Sequence, residues 1–193
     1  MANADAAMGL KPVRYLSGAP YGGATNTYYV PATDSTAIYI GGLVKMAGSA
    51  DADGVMTVTG NVATSNPVVG VVVGVVPITR DSTVYREASV ARYVLVADDP
   101  NLLFEVQDDS VGGDLAATNV GNSADLTAFT TGSTVTGFSA IEIDSNTATA
   151  SGDGTEDVVI WGLARRPDNT IGTNANWLVR LNNHAAVDGF AGA

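Results

Sequence analysis

Short apolar stretches broken by Gly, Pro, Asn and Asp run along most of the chain, and no window of eleven or more residues repeats at the period of a helix. From Thr27 onward the stretches read as strands: 27–30, 37–40, 43–47, 55–59, 68–76, 91–97, 102–107, 125–129, 138–143, 158–164 and 177–181. The 125–129 stretch is the weakest, and one short helix fits near 111–120. Alternation is clearest near the end, where Trp177, Val179 and Leu181 share a face and Arg180 lies opposite. Ile141 and Ile143 likewise oppose Glu142 and Asp144. Asp53-Gly54 is a strong hairpin turn. The run "PVVGVVVGVVPI" demands a core or interface, and its glycines suggest a bend or a close backbone approach.

Residues 1–26 show neither period. Pro12, Gly18, Pro20, Gly22 and Gly23 surround Tyr15 and Tyr21, which suggests an extended arm that docks through its tyrosines. The expected organisation is that arm, a β domain over 27–184 and a tail over 185–193. The expected fold class is all-β: a small barrel or sandwich of about ten short strands.

The 193-residue length suits one domain with a real core. Only 15% of residues are charged and 46% are apolar, which is not a disordered composition. Net charge is −11, no Lys or Arg occurs between Arg92 and Arg165, and that interval holds twelve acids. A nucleic-acid partner is therefore not expected, because phosphate contacts need a basic patch. The absence of cysteine excludes disulfides, thiolate metal sites and a Cys nucleophile. The N-terminus lacks the apolar core of a secretory signal. The longest apolar run, twelve residues, is too short to cross a bilayer, so no membrane partner is expected.

Candidate chemistry is sparse. The single histidine, His184, lies in the polar tail segment "LNNHAA", a poor place for a nucleophile's base. No G-x-S-x-G, P-loop or H-E-x-x-H sequence is present. Asp51-x-Asp53-Gly54 begins like a calcium loop but lacks the closing Glu, and "DGTEDV" at 153–158 reads first as a solvated loop. No catalytic residue, metal or cofactor is expected. A glycosidase would need two facing carboxylates, and Trp161 and Trp177 both sit in apolar strands that suggest core. The acid-rich stretch "YVLVADDPNLLFEVQDD" reads as a hairpin around the turn "DDPN". Its acid pairs, Asp98–Asp99 and Asp108–Asp109, would lie ~20 Å apart at wet ends, with Glu105 alone mid-strand.

Four blocks resemble the capsid decoration, or cement, proteins of tailed bacteriophages: "GLKPVRYLSGAPYGGATNTYYVPATDSTAIYIGGLVKMAGSADADGV", "PVVGVVVGVVP", "ARYVLVADDPNLLFEVQDDSVGG" and "GLARRPDNTIGTNANWLVRLNNH". Together they span nearly the whole chain, and their order is also similar. The resemblance implies a β-barrel-like domain that oligomerises, commonly as a trimer, on the outside of an icosahedral head. Its implied partner is the major capsid protein, whose neighbouring subunits it ties together after expansion. It would be made in the bacterial cytoplasm and carried on the virion. The expected contact residues are Lys11, Arg14, Tyr15 and Tyr21 in the arm, Tyr28 just after it, and Arg165, Arg166 and Asn169 around "RRPDN". Tyr and Arg suit interface centres, where Lys is depleted. A carbohydrate-binding or depolymerising β-domain is the alternative; it requires an aromatic-lined cleft with two adjacent acids.

Overall fold

A computed structural model describes residues 3–150 and 154–188. The strands are β1 (Lys11–Tyr15), β2 (Asn26–Val30), β3 (Leu43–Ala50), β4 (Met56–Thr59), β5 (Gly70–Val75) and β6 (Arg92–Ala97). They continue as β7 (Leu102–Gln107), β8 (Ser123–Ala124), β9 (Leu126–Thr127), β10 (Glu142–Ile143), β11 (Val158–Leu163) and β12 (Asn176–Leu181). One helical turn, α1 (Ala185–Asp188), follows. The protein is all-β. A closed barrel runs β2-β4-β3-β5-β6, a five-stranded sheet runs β1-β7-β12-β11-β8, and β9 pairs with β10.

Two cores explain the apolar pattern. Val30, Val44, Val58, Val72, Val94 and Val96 fill the barrel. Phe104, Ile141, Ile143, Ile160, Trp177 and Val179 anchor a second core under the sheet. Strand β5 lies between them: Val72 enters the barrel, while its neighbour Val71 enters the sheet core. Leu43 and Val44 divide in the same way, as do Val96 and Ala97. A strand buried on both faces reads as a continuous apolar run, and that is the origin of the valine-rich stretch. Of its glycines, Gly70 serves close approach and Gly74 sits at a register shift. A Cβ on Gly70 would lie 2.3 Å from the Ala97 carbonyl oxygen, and the β5–β6 register shifts between Val72 and Gly74.

The Asp53-Gly54 turn joins antiparallel β3 and β4. Asp51 fixes it by accepting from the Asp53 and Val55 amides at 2.9 and 2.8 Å.

Several expectations need correction. The stretch 93–109 is not a hairpin: β6 pairs with β2 and β5, whereas β7 pairs with β1 and β12. The "DDPN" turn forms, with the Leu102 amide on the Asp99 carbonyl at 3.1 Å, but it carries the chain from barrel to sheet. Residues 10–15 of the expected arm belong to the folded body. Leu10 is buried in the sheet core, and β1 is the edge strand on β7. Its pattern is masked because the register shifts between Pro12 and Arg14, at an edge where proline is tolerated. The crossing of residues 9 and 41 pins this segment, since a Cβ on Gly9 would lie 2.5 Å from the Gly41 carbonyl oxygen.

Residues 37–40 make only isolated bridges, Ile38 to Arg86 and Ile40 to Phe138. Near 111–120 there is a single 3-10 turn, Ala117–Asn119. His184 is not in a loose tail; it is buried and bridges Val68. Residues 189–193 of the expected tail lie outside the described residues, as does Asp153.

Candidate functional site

The second core occupies the inner face of the five-stranded sheet, so the chemistry available to a partner lies on the outer face. Strand alternation sends Leu103 and Glu105 of β7, and Leu178 and Arg180 of β12, to that side. Cross-strand register then builds two rows. Arg14, Leu103, Arg180 and Val159 form one; Lys11, Glu105, Leu178 and Gly162 form the next. The β11–β12 register shifts between Ile160 and Gly162, and at that irregularity Trp161 stands 47% exposed.

An open groove of about 960 Å³ runs over this face. Trp161, Leu163, Ile171, Leu178 and Val120 line its apolar part. Arg14, Arg165, Arg166 and Glu105 line its polar part. Arg166 Nη1 pairs with Glu105, and its Nε lies 3.2 Å from Asp168. Among the described residues no ion pair involves Lys11, Arg14, Arg165 or Arg180. Three of the nine Lys and Arg residues line the groove and Lys11 and Arg180 share its sheet face, although the chain spreads these five from position 11 to position 180. The others are placed differently. Arg86 is fully buried and donates to the carbonyls of Pro31, Asp34, Thr36 and Val90. Arg92 is buried and donates to the Val76 and Thr83 carbonyls. Lys45 donates to Asn66, and Arg80 is exposed on a loop.

The groove thus unites Arg14, Arg165 and Arg166, with Lys11 exposed beside them opposite Glu105. It does not include the tyrosines. Tyr15 and Tyr21 pack half-buried against the sheet core, their rings 6.5 Å apart. Tyr28 is a buried barrel residue rather than a contact, because its hydroxyl donates to Asp98 at 2.7 Å. Burial first, and then Asp98, pushes the Tyr28 phenol pKa up. Asn169 is also no contact. It is buried and clamps the β11–β12 connection through the Ala164 and Asn176 carbonyls at 2.7 and 2.8 Å. The groove residue that sequence reasoning missed is Trp161, which it assigned to the core. The alternation of buried Val158 and Ile160 would have put it outside.

Among the described residues, Asp98, Asp108 and Asp157 are engaged by internal donors. Asp98 joins β2 to the barrel–sheet corner by accepting from Asn26 and Tyr28. Asp108 is not a wet end: it is fully buried and accepts from Ser110, Trp177 Nε1 and the Leu115 amide. Burial pushes its carboxyl up against those hydrogen bonds. Asp157 is pushed up to about 6, chiefly by burial, while the Ser65 and Leu126 amides oppose the rise. Glu142 reaches about 7 through burial and the nearby Asp5, Asp109 and Asp108. At the calcium-like turn both Asp51 oxygens are engaged, one by backbone amides and the other by Tyr93 at 2.6 Å. Among the described residues no three His, Asp or Glu side chains converge as metal ligands. Among them also no helix is long and apolar enough to cross a membrane.

The fold and site define a class: an all-β protein in which a closed barrel backs a sheet whose outer face carries an arginine- and tryptophan-lined groove. No family model, curated protein or solved structure matches the chain.

Proposed function

We propose that this is a non-enzymatic capsid decoration protein, a structural component of a tailed-phage virion. It binds the outer surface of the head, acts as a homo-oligomer, most simply a trimer, and ties neighbouring major-capsid subunits together. The observation that supports this reading best is the outer sheet face. An exposed Trp161 stands among Arg14, Arg165 and Arg166 on a rigid sheet, the chemistry enriched at the centres of protein interfaces. The first and last of the resembling sequence blocks also converge there, supplying Arg14 from one and Arg165 and Arg166 from the other. Several modest contacts per shell, linked by oligomerisation, give strong attachment through effective concentration.

The test is co-sedimentation of the purified protein with expanded, undecorated heads. Saturation at a fixed ratio to shell subunits is the expected result, and an unsaturable or absent signal would overturn the reading. The carbohydrate alternative has one observation in its favour, the exposed Trp161 ring in the same groove as Glu105. The groove supplies one carboxylate, already engaged by Arg166, where a glycosidase needs two. Glycan binding in the absence of head binding would favour that alternative.

A further inference from the structure

The groove's own chemistry narrows its occupant. We infer that it holds an extended, acidic peptide segment of the shell protein, with carboxylates on Arg14 and Arg165 and an apolar side chain against Trp161 and Ile171. This rests on the decoration reading and goes beyond it by naming the recognised chemistry.

Three observations lead there. The first is charge. The protein carries −11 overall, yet Lys11, Arg14, Arg165 and Arg180 on this face have no acidic partner among the described residues. Guanidinium forks match carboxylates bidentately, and they are weakly enough hydrated to be covered. The second is the apolar lining. Trp161 at 47% and Ile171 at 49% exposure are large apolar surfaces that gain from being covered. The third is the pair already built into the groove. Arg166 holds Glu105 and lies within ion-pair distance of Asp168, so Arg14 and Arg165 remain for an incoming acid.

A nucleic acid shares the anionic chemistry but fits less well. The lining offers one exposed ring for stacking, a carboxylate within the groove, and a strongly acidic molecule around it. A short acidic peptide needs only local complementarity and uses the apolar lining that a phosphate backbone cannot.

The test compares four proteins for sedimentation with expanded heads: the wild type, Arg14→Glu/Arg165→Glu, Trp161→Ala, and Arg80→Glu as an exposed control outside the groove. Overlapping fluorescein-labelled peptides covering the shell protein, and a labelled oligothymidylate, serve as probes of the same four. The charge reversal should weaken head binding by about a hundredfold and Trp161→Ala by about tenfold, with Arg80→Glu unchanged. Raising NaCl from about 50 to about 500 mM should weaken the wild type and flatten the difference. Only Asp/Glu-containing peptides should bind, and the oligothymidylate should not. Thermal melting of each variant establishes that it is folded. Wild-type and groove variants binding heads equally would overturn this inference and leave the decoration reading standing. Groove-dependent capture of the oligothymidylate, or of peptides lacking acids, would also overturn it. Failure of the wild type to bind heads at all would remove the reading beneath it.

Discussion

The barrel and the sheet use similar numbers of strands for opposite ends. Closure pairs every barrel strand on both sides and points its alternate valines inward. Buried Arg86, bridged to the barrel-core residue Ile38, is satisfied by four carbonyls. The sheet packs one face on a core of larger side chains and leaves the other with Trp161, three groove arginines and an edge strand made from the N-terminal segment. The barrel is saturated by its own contacts, and surface chemistry is concentrated where a sheet was left open. The two are welded rather than tethered, because β3, β5 and β6 send alternate side chains into both cores.

The largest expected effect strikes the sheet at its N-terminal edge. Deleting residues 1–24 removes β1, Leu10 and the Gly9–Gly41 crossing. It should cost about 5 kcal/mol or more in urea unfolding, enough to unfold a marginal domain. A truncated protein with wild-type stability would restore the picture of a detached arm. Next come Trp177→Ala and Arg86→Met, one in each unit. The first empties the sheet core; the second takes a donor from four carbonyls, of which Pro31 and Asp34 keep the Asp34 and Ser89 amides, and removes the cation facing Asp34, and each should cost about 3 to 5 kcal/mol. In contrast, Trp161→Ala should change unfolding free energy by less than about 1 kcal/mol. Equal costs at the two tryptophans would erase the distinction between core and contact face.

The smallest effect is a pH dependence that belongs to the sheet unit. Glu142 at about 7 and Asp157 at about 6 sit above their ordinary values of 4.5 and 3.8. The folded protein therefore holds more protons than the unfolded chain between those limits. Their stabilising contribution is complete below the unfolded values and is lost as pH rises through about 6 to 7. The melting temperature should be a few degrees higher at about pH 5 than at about pH 8. Glu142→Gln should flatten the upper part of that slope. On the barrel, Asp51 is shifted the other way, lowered first by the Tyr93 hydrogen bond, so acidification weakens that contact instead. A slope unchanged by Glu142→Gln would place the pH dependence elsewhere.

Strands announced by a local signal were the legible ones. Alternation located β12 and the Asp53-Gly54 turn located β3 and β4, because each signal is local. The destination of β7 was not legible. Turn chemistry at "DDPN" specifies a reversal of direction, and only the pairing of β7 with β1 and β12 rather than with β6 shows that the strand has left the barrel. β1 was hidden by Pro12 and the register shift beside it. Of the expected contacts, the arginines were chosen by residue type and do meet, although nothing along the chain links Arg14 to Arg165. Tyr28 was chosen by residue type and Asn169 by its place around "RRPDN", and both are buried, since their polar atoms found internal partners at Asp98, Ala164 and Asn176. Residue type alone does not distinguish a contact from a clamp.

The most direct test of docking through the sheet is amide hydrogen exchange on the protein bound to expanded heads, compared with the free protein. Added protection is expected at residues 11–16 and 158–166, with barrel strands β2 to β6 unchanged. Protection confined to the barrel, with the groove exchanging as it does in the free protein, would contradict it.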